Sequence, residues 1–345
     1  MPNSLREWLA TQKPMIKADN APIPRTLLAT IAISLCCGWG FDTAQGAALR
    51  IIKHNDRDYV TAANIKDFYR FNSLSIKNGT LKFLSPKIEM EIRSGSDALY
   101  INRILFRLSY PVAHKDRNYL FSRIDLDKLI NPVLRPSYIK SAKRFRSVVI
   151  DPGHGGSDPG SKSKYGNEKD FNLKLANLLK RDLERRGFRV RMTRSGDTFP
   201  TLRDRVIFAN RIDDAIFISL HFNAYNNSSA KGIETYALSP KDTGTHNSRG
   251  VKGNVLTGNA RDAENIALAT AIHASLLKKT RAEDRGIKRD RFTVLADINK
   301  PAVLVEGGFL SNPEEARRIA SPSYLALLST GIADAVVTYR NALRK

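Results

Sequence analysis

The chain has 345 residues, a length that fits two domains of ordinary size. Hydrophobic residues make up 42% and charged residues 26%, which is enough apolar material for packed cores and excludes a disordered or collagen-like chain. Lys and Arg outnumber Asp and Glu by 56 to 34, so the net charge is +22. This charge favours polyanionic surroundings, either nucleic acid, an anionic lipid surface or a carboxylate-bearing wall polymer, and composition alone does not choose among them.

The first 46 residues have the three-part pattern of a secretory signal peptide. An uncharged apolar stretch, 26–41, follows Arg25 and precedes the small residues TAQGAA, and we expect cleavage after Gly46. The stretch is shorter than the roughly 20 residues of a typical transmembrane helix. A buried core helix is the alternative. A start at Met15 would give a more usual signal than a start at Met1. The pattern predicts an exported protein that contacts the membrane only through an uncleaved signal segment.

Both cysteines of the chain, Cys36 and Cys37, lie inside this segment. If the segment is removed, the mature chain has no disulfide bond, and any metal must be bound by His, Asp or Glu. The removed residues include four basic and three acidic ones, so the net charge falls by only one. The positive charge therefore belongs to the exported part of the chain.

Residues 47–131 are predicted to form a small α+β domain. Short runs in which apolar and charged residues alternate indicate half-buried strands, and Asn-Gly and Ser-Gly pairs between them indicate turns. Short helices are expected at 62–69 and 125–130. The stretch 132–146 is polar, basic and proline-bearing, and we interpret it as a linker.

Residues 147–345 alternate apolar, β-branched runs with helical patterns. This predicts an α/β domain with a twisted, mostly parallel sheet and helices on both faces. The predicted strands are SVVID, FRVRMTR, AIFISLH, GIETYAL, FTVLAD and AVLVEGGFL, and the predicted helices are 169–186, 202–211, 263–279 and 324–339. The Gly- and Asn-rich segment 239–262 is too long for a simple connection, so we interpret it as a functional rim loop or a mobile insertion.

Polar residues that end strands are the candidates for chemistry, because ligands of open α/β sheets bind beyond the carboxyl ends of the strands. His154 follows SVVID, His221 follows AIFISL, and Glu306 follows AVLV. Glu168, at the start of a predicted helix, can reach the same edge. Two histidines and one carboxylate, with one position open for water, are typical of a catalytic zinc site. The fourth group would be free to move protons.

Each candidate also has a purely structural alternative. A histidine after a strand is more often a satisfied, partly buried side chain than a ligand, and Glu168 would suit a helix start on electrostatic grounds alone. Glu306 is the stronger candidate, since a carboxylate after four apolar residues of a central strand is costly unless it is paired or serves a metal. Asp151 and Asp158 compete as ligands, although Asp before Pro-Gly is more often a turn residue.

Several other chemistries lack their motifs. GHGGSDPG has neither the GK[ST] of a P-loop nor the spacing of a dinucleotide-binding loop, and the chain has no HExxH. No serine lies in a G-x-S-x-G nucleophile elbow. Lys and Arg are scattered through both halves without interleaved aromatic residues, so we predict no binding to nucleic acid.

Residues 147–345 carry a family resemblance that rests on seven segments in order: VVIDPGHGGSDPGS, GNEKDFNLKLA, MTRSGDTFPTLRDRVIFAN, IFISLHFNA, KGIETY, RGIKRDRFTVL and PAVLVEGGFLSNPEE. They resemble the successive blocks of the zinc-dependent N-acetylmuramoyl-L-alanine amidases. The resemblance implies that His154, Glu168 and His221 bind Zn2+ and that Glu306 is the catalytic glutamate. It also implies a peptidoglycan hydrolase that cleaves the amide between N-acetylmuramic acid and the L-alanine of the stem peptide.

The expected mechanism is hydrolysis by a zinc-activated water, with Glu306 as general base and then general acid. We expect a monomer in the periplasm or cell envelope of a bacterium, acting on peptidoglycan, and leave an activator protein open. Two other functions stay open: a non-catalytic wall-binding protein, and a zinc amidohydrolase or peptidase that cuts within the stem peptide. The segment 239–262 departs from the shortest family members and could govern substrate access, regulation or the choice of bond.

The N-terminal region, which ends SRIDLDKLINPVLRP, resembles the small stalk-like domain found at the N-terminus of copper amine oxidases and fused to some wall amidases. The resemblance implies no copper chemistry, because His54 and His114 are far apart in sequence.

Three further charged residues were considered for the site. Glu234 could hydrogen-bond a ligand histidine or be a surface residue of an edge strand. Arg203 and Arg285 could pair with carboxylates of the stem peptide, but exposed arginines are common, and neither is included in the predicted site.

Overall fold

The computed structural model describes residues 48–140, 142–246 and 253–343. The predicted signal segment and both cysteines lie outside these residues. The strands are β1 (Ile52–His54), β2 (Arg57–Thr61), β3 (Ser73–Lys77), β4 (Thr80–Leu84), β5 (Glu89–Arg93), β6 (Ala98–Ile101), β7 (Ile104–Arg107), β8 (Ala113–Lys115), β9 (Asn118–Ser122), β10 (Ser147–Pro152), β11 (Lys162–Ser163), β12 (Gly166–Asn167), β13 (Arg189–Met192), β14 (Ala215–Asn223), β15 (Ile233–Leu238), β16 (Asp284–Asp290) and β17 (Ala302–Phe309). The main helices are α1 (Ala62–Phe68), α2 (Glu168–Arg185), α3 (Leu202–Asn210), α4 (Asp262–Thr280), α5 (Thr293–Ala296), α6 (Pro313–Ile319) and α7 (Pro322–Ala342).

The N-terminal strands form two antiparallel arrangements. β1, β2, β9 and β8 make a four-stranded sheet, and β3 to β7 form a meander. The predicted alternation is confirmed in β4, where Leu81 and Phe83 are fully buried and Lys82 between them is not. Helix α1 lies where a helix was predicted, and its N-terminus is capped by the Thr61 side chain, which accepts a hydrogen bond from the amide of Asn64.

The described residues of the segment 132–146, which we interpret as a linker, include both buried and exposed positions. The segment continues a run of helical turns, Arg123–Asp125, Leu126–Ile130 and Asn131–Leu134. Val133 and Phe145 are buried, and the Phe145 ring stacks on Phe188 with centroids 5.8 Å apart. These apolar contacts attach a segment that is otherwise polar and basic to the rest of the protein.

The sheet of the second half is mixed. β13, β10, β14 and β17 are parallel neighbours, β15 lies antiparallel to β17, and β16 is parallel to β15. The four parallel strands agree with the predicted topology, but β15 and β16 run the other way. This reversal puts the chain after β15 at the edge of the sheet opposite to the carboxyl ends of β10, β14 and β17.

Helices cover the two faces of this sheet unequally. Alternate residues such as Ile218 and Val303 belong to a large apolar cluster under the long helices α2, α4 and α7, while Phe217 and Leu304 face the short helices α3 and α5. Because α3 and α5 are short, they cover only part of their face of the sheet. Polar residues occupy the part of this face near the carboxyl ends of the parallel strands. Among the described residues, no single helix is long and apolar enough to cross a membrane, and only the bent pair α6 and α7 meets the criteria when taken together.

The prediction of a strand at FTVLAD is wrong. Residues Thr293–Ala296 form helix α5, and the strand that pairs with β15 is the preceding segment, Asp284–Asp290. Its sequence, DRGIKRD, shows no apolar alternation because most of its positions are charged. A strand of this composition can be buried because carboxylates on neighbouring elements neutralise its cations.

Strand β16 also joins the two halves of the chain. Ile287 pairs with Phe106 of β7, so the N-terminal meander extends the second sheet to eleven strands. The Asp284 carboxylate accepts a hydrogen bond from the Leu105 amide at 2.8 Å. The buried Arg289 guanidinium lies 3.3 Å from the fully buried carboxylate of Asp125. The junction is therefore a hydrogen-bonded and charged contact, not a tether alone.

Replacing Arg289 by Met should destabilise the protein by about 3–5 kcal/mol, because it leaves the Asp125 carboxylate buried without its countercharge. Urea unfolding of Arg289→Met and of Arg211→Met, a change at an exposed arginine, measures the difference. Equal stability of the two variants would show that the pair does not support the junction.

Candidate metal centre and active site

The site begins with a row of side chains across neighbouring strands. His221 of β14 is in register with Glu306 of β17, and Glu306 is in register with Glu234 of β15. Residues paired in this way point to the same face of a sheet. On the other side of His221 the row continues with Gly153, where an added Cβ would lie 2.2 Å from the imidazole Cε1. The histidine therefore fits because its neighbour has no side chain.

His154 lies in a loop that two arginines hold in place. Its backbone has a φ of 62°, in the left-handed region, which is unfavourable for a residue other than glycine. Arg205 donates to the His154 carbonyl at 2.8 Å and to the Asp151 carboxylate at 2.7 Å. Arg194 donates to the Gly153 carbonyl at 2.9 Å. Asp151, a competing ligand in the sequence analysis, is instead fully engaged in a buried ion pair that supports the loop.

The Glu168 carboxylate lies between the two histidines at the start of α2. Its Oε1 atom is 3.1 Å from His154 Nε2 and 2.9 Å from His221 Nδ1. The Ser161 amide donates to Oε2 at 2.9 Å. Burial opposes ionisation of Glu168, but the hydrogen bonds and charges of His154 and His221 outweigh it and hold the pKa of this carboxyl well below its usual range. The side chain is thus a carboxylate at neutral pH.

Asp158 orients one of the histidines. Its Oδ2 atom is 2.7 Å from His154 Nδ1, so the opposite ring nitrogen, Nε2, faces Glu168. Burial lowers the pKa of His154, but Glu168 and Asp158 together raise it above its usual value. One ligand atom from each of His154, Glu168 and His221 lies within 4.8 Å of the other two. The three predicted ligands therefore lie close together. Asp158 contacts one of them, His154, at the ring nitrogen that does not face Glu168.

Glu306 lies beside this cluster with an unused oxygen. Its Oε2 atom is buried and has no hydrogen-bond partner among the described residues. Burial raises the pKa of Glu306 well above its usual range, and the negative charges of Glu168 and Glu234 add to the shift, against the opposing charge of Lys288. Its surroundings therefore favour the protonated form of this carboxyl.

Glu234 adopts neither of the two arrangements considered for it. It is fully buried, and its carboxylate accepts hydrogen bonds from Arg285 Nε at 2.8 Å and Lys288 Nζ at 2.5 Å. The Tyr236 hydroxyl donates to it at 2.7 Å and the Asn223 amide at 3.1 Å. Burial raises the pKa of Glu234, but Lys288, Arg285 and the Tyr236 hydroxyl lower it below its usual value. Glu234 is therefore a charged, internally neutralised neighbour of Glu306.

Sequence reasoning missed two cations of this site. Lys288 was not considered, and Arg285 was set aside as an ordinary surface arginine. Arg285 is only partly exposed and contacts Glu234, whereas Arg203 is exposed on α3. One feature of the sequence could have identified them: both residues fall in RGIKRDRFTVL, one of the seven segments that carry the family resemblance, in which a Gly lies among charged residues.

A family model described as N-acetylmuramoyl-L-alanine amidase matches residues 148–338. The chain belongs to this family. The match covers every residue of the row and of the metal cluster described above. The N-terminal region lies outside the match.

The chain is also similar to individual proteins described as amidases. The probable cell wall amidase LytH of Staphylococcus aureus is 32% identical over 206 residues, which are 59% of this chain and 61% of LytH, so the chain spans about three fifths of that relative. An N-acetylmuramoyl-L-alanine amidase structure from Clostridium difficile 630 is 34% identical, with 57% of this chain and 97% of the other covered and a TM-score of 0.48. The CwlD amidase of Clostridioides difficile, solved in complex with the GerS lipoprotein, is 26% identical, with 56% and 98% covered and a TM-score of 0.48.

The described parts of the segment 239–262 lie away from the candidate site. The segment leaves β15 at Leu238, four residues beyond Glu234, and at about 3.3 Å per residue that is at the opposite edge of the sheet. It packs on the N-terminal region, since the Tyr110 hydroxyl donates to the Asp242 carbonyl at 2.9 Å. Residues 247–252 lie outside the described residues. The proposed role in substrate access therefore has no support from the described parts of this segment.

If the cluster binds zinc, Asp158→Asn should weaken that binding by about 10- to 100-fold, since the carboxylate that fixes the His154 ring is lost. Competition of the metal-free protein with a chromogenic chelator measures the affinity. Asp213→Asn, at an exposed position before β14, is the control. Unchanged affinity in Asp158→Asn would mean that Asp158 does not orient a ligand.

Proposed function

We propose that this protein is a zinc-dependent peptidoglycan hydrolase that cleaves the amide between N-acetylmuramic acid and the L-alanine of the stem peptide. His154, Glu168 and His221 would bind Zn2+, and Glu306 would act as general base and acid. The observation that carries the proposal is the convergence of three ligand atoms beside the unpartnered Glu306 oxygen, in a chain of this family.

The donor set suits zinc. Two imidazoles and one carboxylate are the three protein ligands of a common class of catalytic zinc site, in which a further position stays open. The contact between Asp158 and His154 is the carboxylate–histidine arrangement that fixes a ligand ring. When bound, zinc lowers the pKa of a coordinated water and polarises a substrate carbonyl.

Glu306 would move the proton that the reaction needs. Hydrolysis adds a hydroxyl group to the carbonyl carbon and a proton to the alanine nitrogen as the C–N bond breaks. The Glu306 carboxylate would take the proton from the attacking water and then donate it to the departing nitrogen. Its raised pKa suits the second step, because the carboxyl retains the proton until the nitrogen becomes basic. A cation held by Glu168 would offset one of the charges that raise this pKa and so keep the first step accessible.

Substituting Glu306 by Ala should leave zinc bound and reduce turnover by about 10²- to 10⁴-fold, because the proton carrier is lost and the ligands are not. Metal content by atomic absorption and product release from purified sacculi measure the two effects. Glu184→Gln, at an exposed position of α2, is the control. Loss of zinc from Glu306→Ala would make Glu306 a ligand and overturn the assigned role.

The identity of the bond is tested by mass spectrometry of the products released from sacculi by the chain from Ala47 on. We expect free stem peptides that begin with L-alanine, and no release after treatment with a chelator. A new amino terminus within the stem peptide would show a peptidase instead. Absence of any release despite bound zinc would favour a wall-binding protein.

The proposal extends to the whole chain. Residues 1–46 would be the export signal, 47–131 a small α+β domain, 132–146 the connection and 147–345 the catalytic domain, acting as a monomer in the cell envelope. A cell wall setting is supported by the resemblance to LytH, which is itself described as a probable cell wall amidase. The positive charge of the exported part suits an anionic wall polymer.

A further inference from the structure

We propose that Arg285 binds a carboxylate of the stem peptide, on the alanine side of the cleaved amide, and so selects substrates that carry a free acid there. The inference rests on the proposed function, because it identifies the substrate group that the same site recognises.

A β-bulge places Arg285 at the site. Ile233 pairs with Asp284, but the next pair in register is Thr235 with Ile287, so two residues of β16, Arg285 and Gly286, oppose one residue of β15. In a regular strand, side chains three positions apart point to opposite faces. The extra residue brings both Arg285 and Lys288, three positions apart, to the Glu234 carboxylate. Bulges commonly re-aim a side chain next to an active site.

The bulge requires a glycine. Gly286 has a φ of 93°, and an added Cβ would lie 2.9 Å from Cγ of Leu105 on the neighbouring N-terminal region. Residues other than glycine rarely adopt this backbone conformation. The bulge that contains it turns Arg285 towards Glu234.

The charges around Glu234 do not cancel. One carboxylate is bound by two cations, and the side chain of Lys288 is only 4% exposed while that of Arg285 is 25% exposed. Lys288 is therefore the buried counterion, and Arg285 carries the surplus positive charge to the surface. Its Nε–H group is used by Glu234, and a guanidinium has further donors on its terminal nitrogens. The arrangement provides a cationic donor that a second carboxylate can reach.

Two aromatic rings fix the guanidinium. The Arg285 Cζ atom lies 4.9 Å from the ring centroid of Phe309 and 5.6 Å from that of Tyr225, whose side chain is exposed. An arginine held by an ion pair and two rings loses little further freedom on binding, which favours recognition of a planar anion.

The distance suits a peptide that extends from the cleaved bond. Arg285 lies two strands away from Glu306 across the sheet, which corresponds to about 10 Å between backbones. Two extended residues span about 7 Å, and the arginine side chain reaches back over its strand. A carboxylate on the residue after alanine would therefore fall near the guanidinium when the amide lies at Glu306.

The test compares two muramoyl dipeptides that differ in one group: the residue after L-alanine carries a free α-carboxylate in one and an amide in the other. Affinity is measured by calorimetry on the zinc-loaded Glu306→Gln protein, which is expected not to turn over, and KM and kcat are measured on the active protein. We expect the acid to bind about 10- to 100-fold more tightly than the amide, the range of a charge-assisted hydrogen bond. Addition of Arg285→Gln should remove this preference.

The controls separate recognition from structure. Arg285→Lys retains the charge and should retain part of the preference, and Arg211→Gln should leave it unchanged. A purely structural arginine would lower affinity for both ligands equally when replaced, and that result, or equal affinity of the two ligands for the parent protein, would overturn the inference. A preference for the acid in a protein that never cleaves the amide would overturn the proposed function and leave this inference standing.

Discussion

The structure depends on keeping two carboxylates side by side on neighbouring strands. Glu234 and Glu306 are directly opposite each other in the β15–β17 pair, an arrangement that is destabilising when both are charged and uncompensated. Lys288 and Arg285 both bind the Glu234 carboxylate, and both come from β16. The position of β16 is therefore a condition for the site, because without it Glu234 would be a buried, unpaired charge. Glu306 differs from Glu234 in having a buried oxygen, Oε2, without a hydrogen-bond partner among the described residues.

The metal cluster depends on a second compensated strain. His154 adopts a left-handed backbone conformation, which costs about 1–3 kcal/mol in a non-glycine residue and persists only where surrounding contacts impose it. Arg194 and Arg205 impose it by binding the carbonyls of the loop, and the buried Asp151 balances Arg205. The residues that hold the loop are thus distinct from those that form the cluster. Asp151 therefore supports the loop and is not one of the three clustered side chains, although it lies only three positions before His154.

The sequence predicted the parts of the structure that follow from apolar periodicity. The strands that lead to His154, His221 and Glu306 are apolar, and the rule that ligands meet at carboxyl ends brought these residues together with Glu168. The site residues that were missed lie on β16, whose sequence is charged because its partners are buried carboxylates. Periodicity cannot reveal such a strand. The reversal of β15 was also missed, since a single strand pattern carries no direction. It places the described start of the segment 239–262 at the edge of the sheet opposite to the metal cluster.

The same strand that completes the site also carries the contact with the N-terminal region. The side chains of β16 have two sets of partners: Asp284 and Arg289 bind Leu105 and Asp125 of the N-terminal region, while Arg285 and Lys288 bind Glu234. The bulge between them packs against Leu105 at Gly286. A displacement of β7 would therefore move β16, and a displacement of β16 would loosen the countercharges of Glu234. Because Glu234 adds to the raised pKa of Glu306, the docking of the N-terminal region bears on the proton affinity of the proposed catalytic carboxylate.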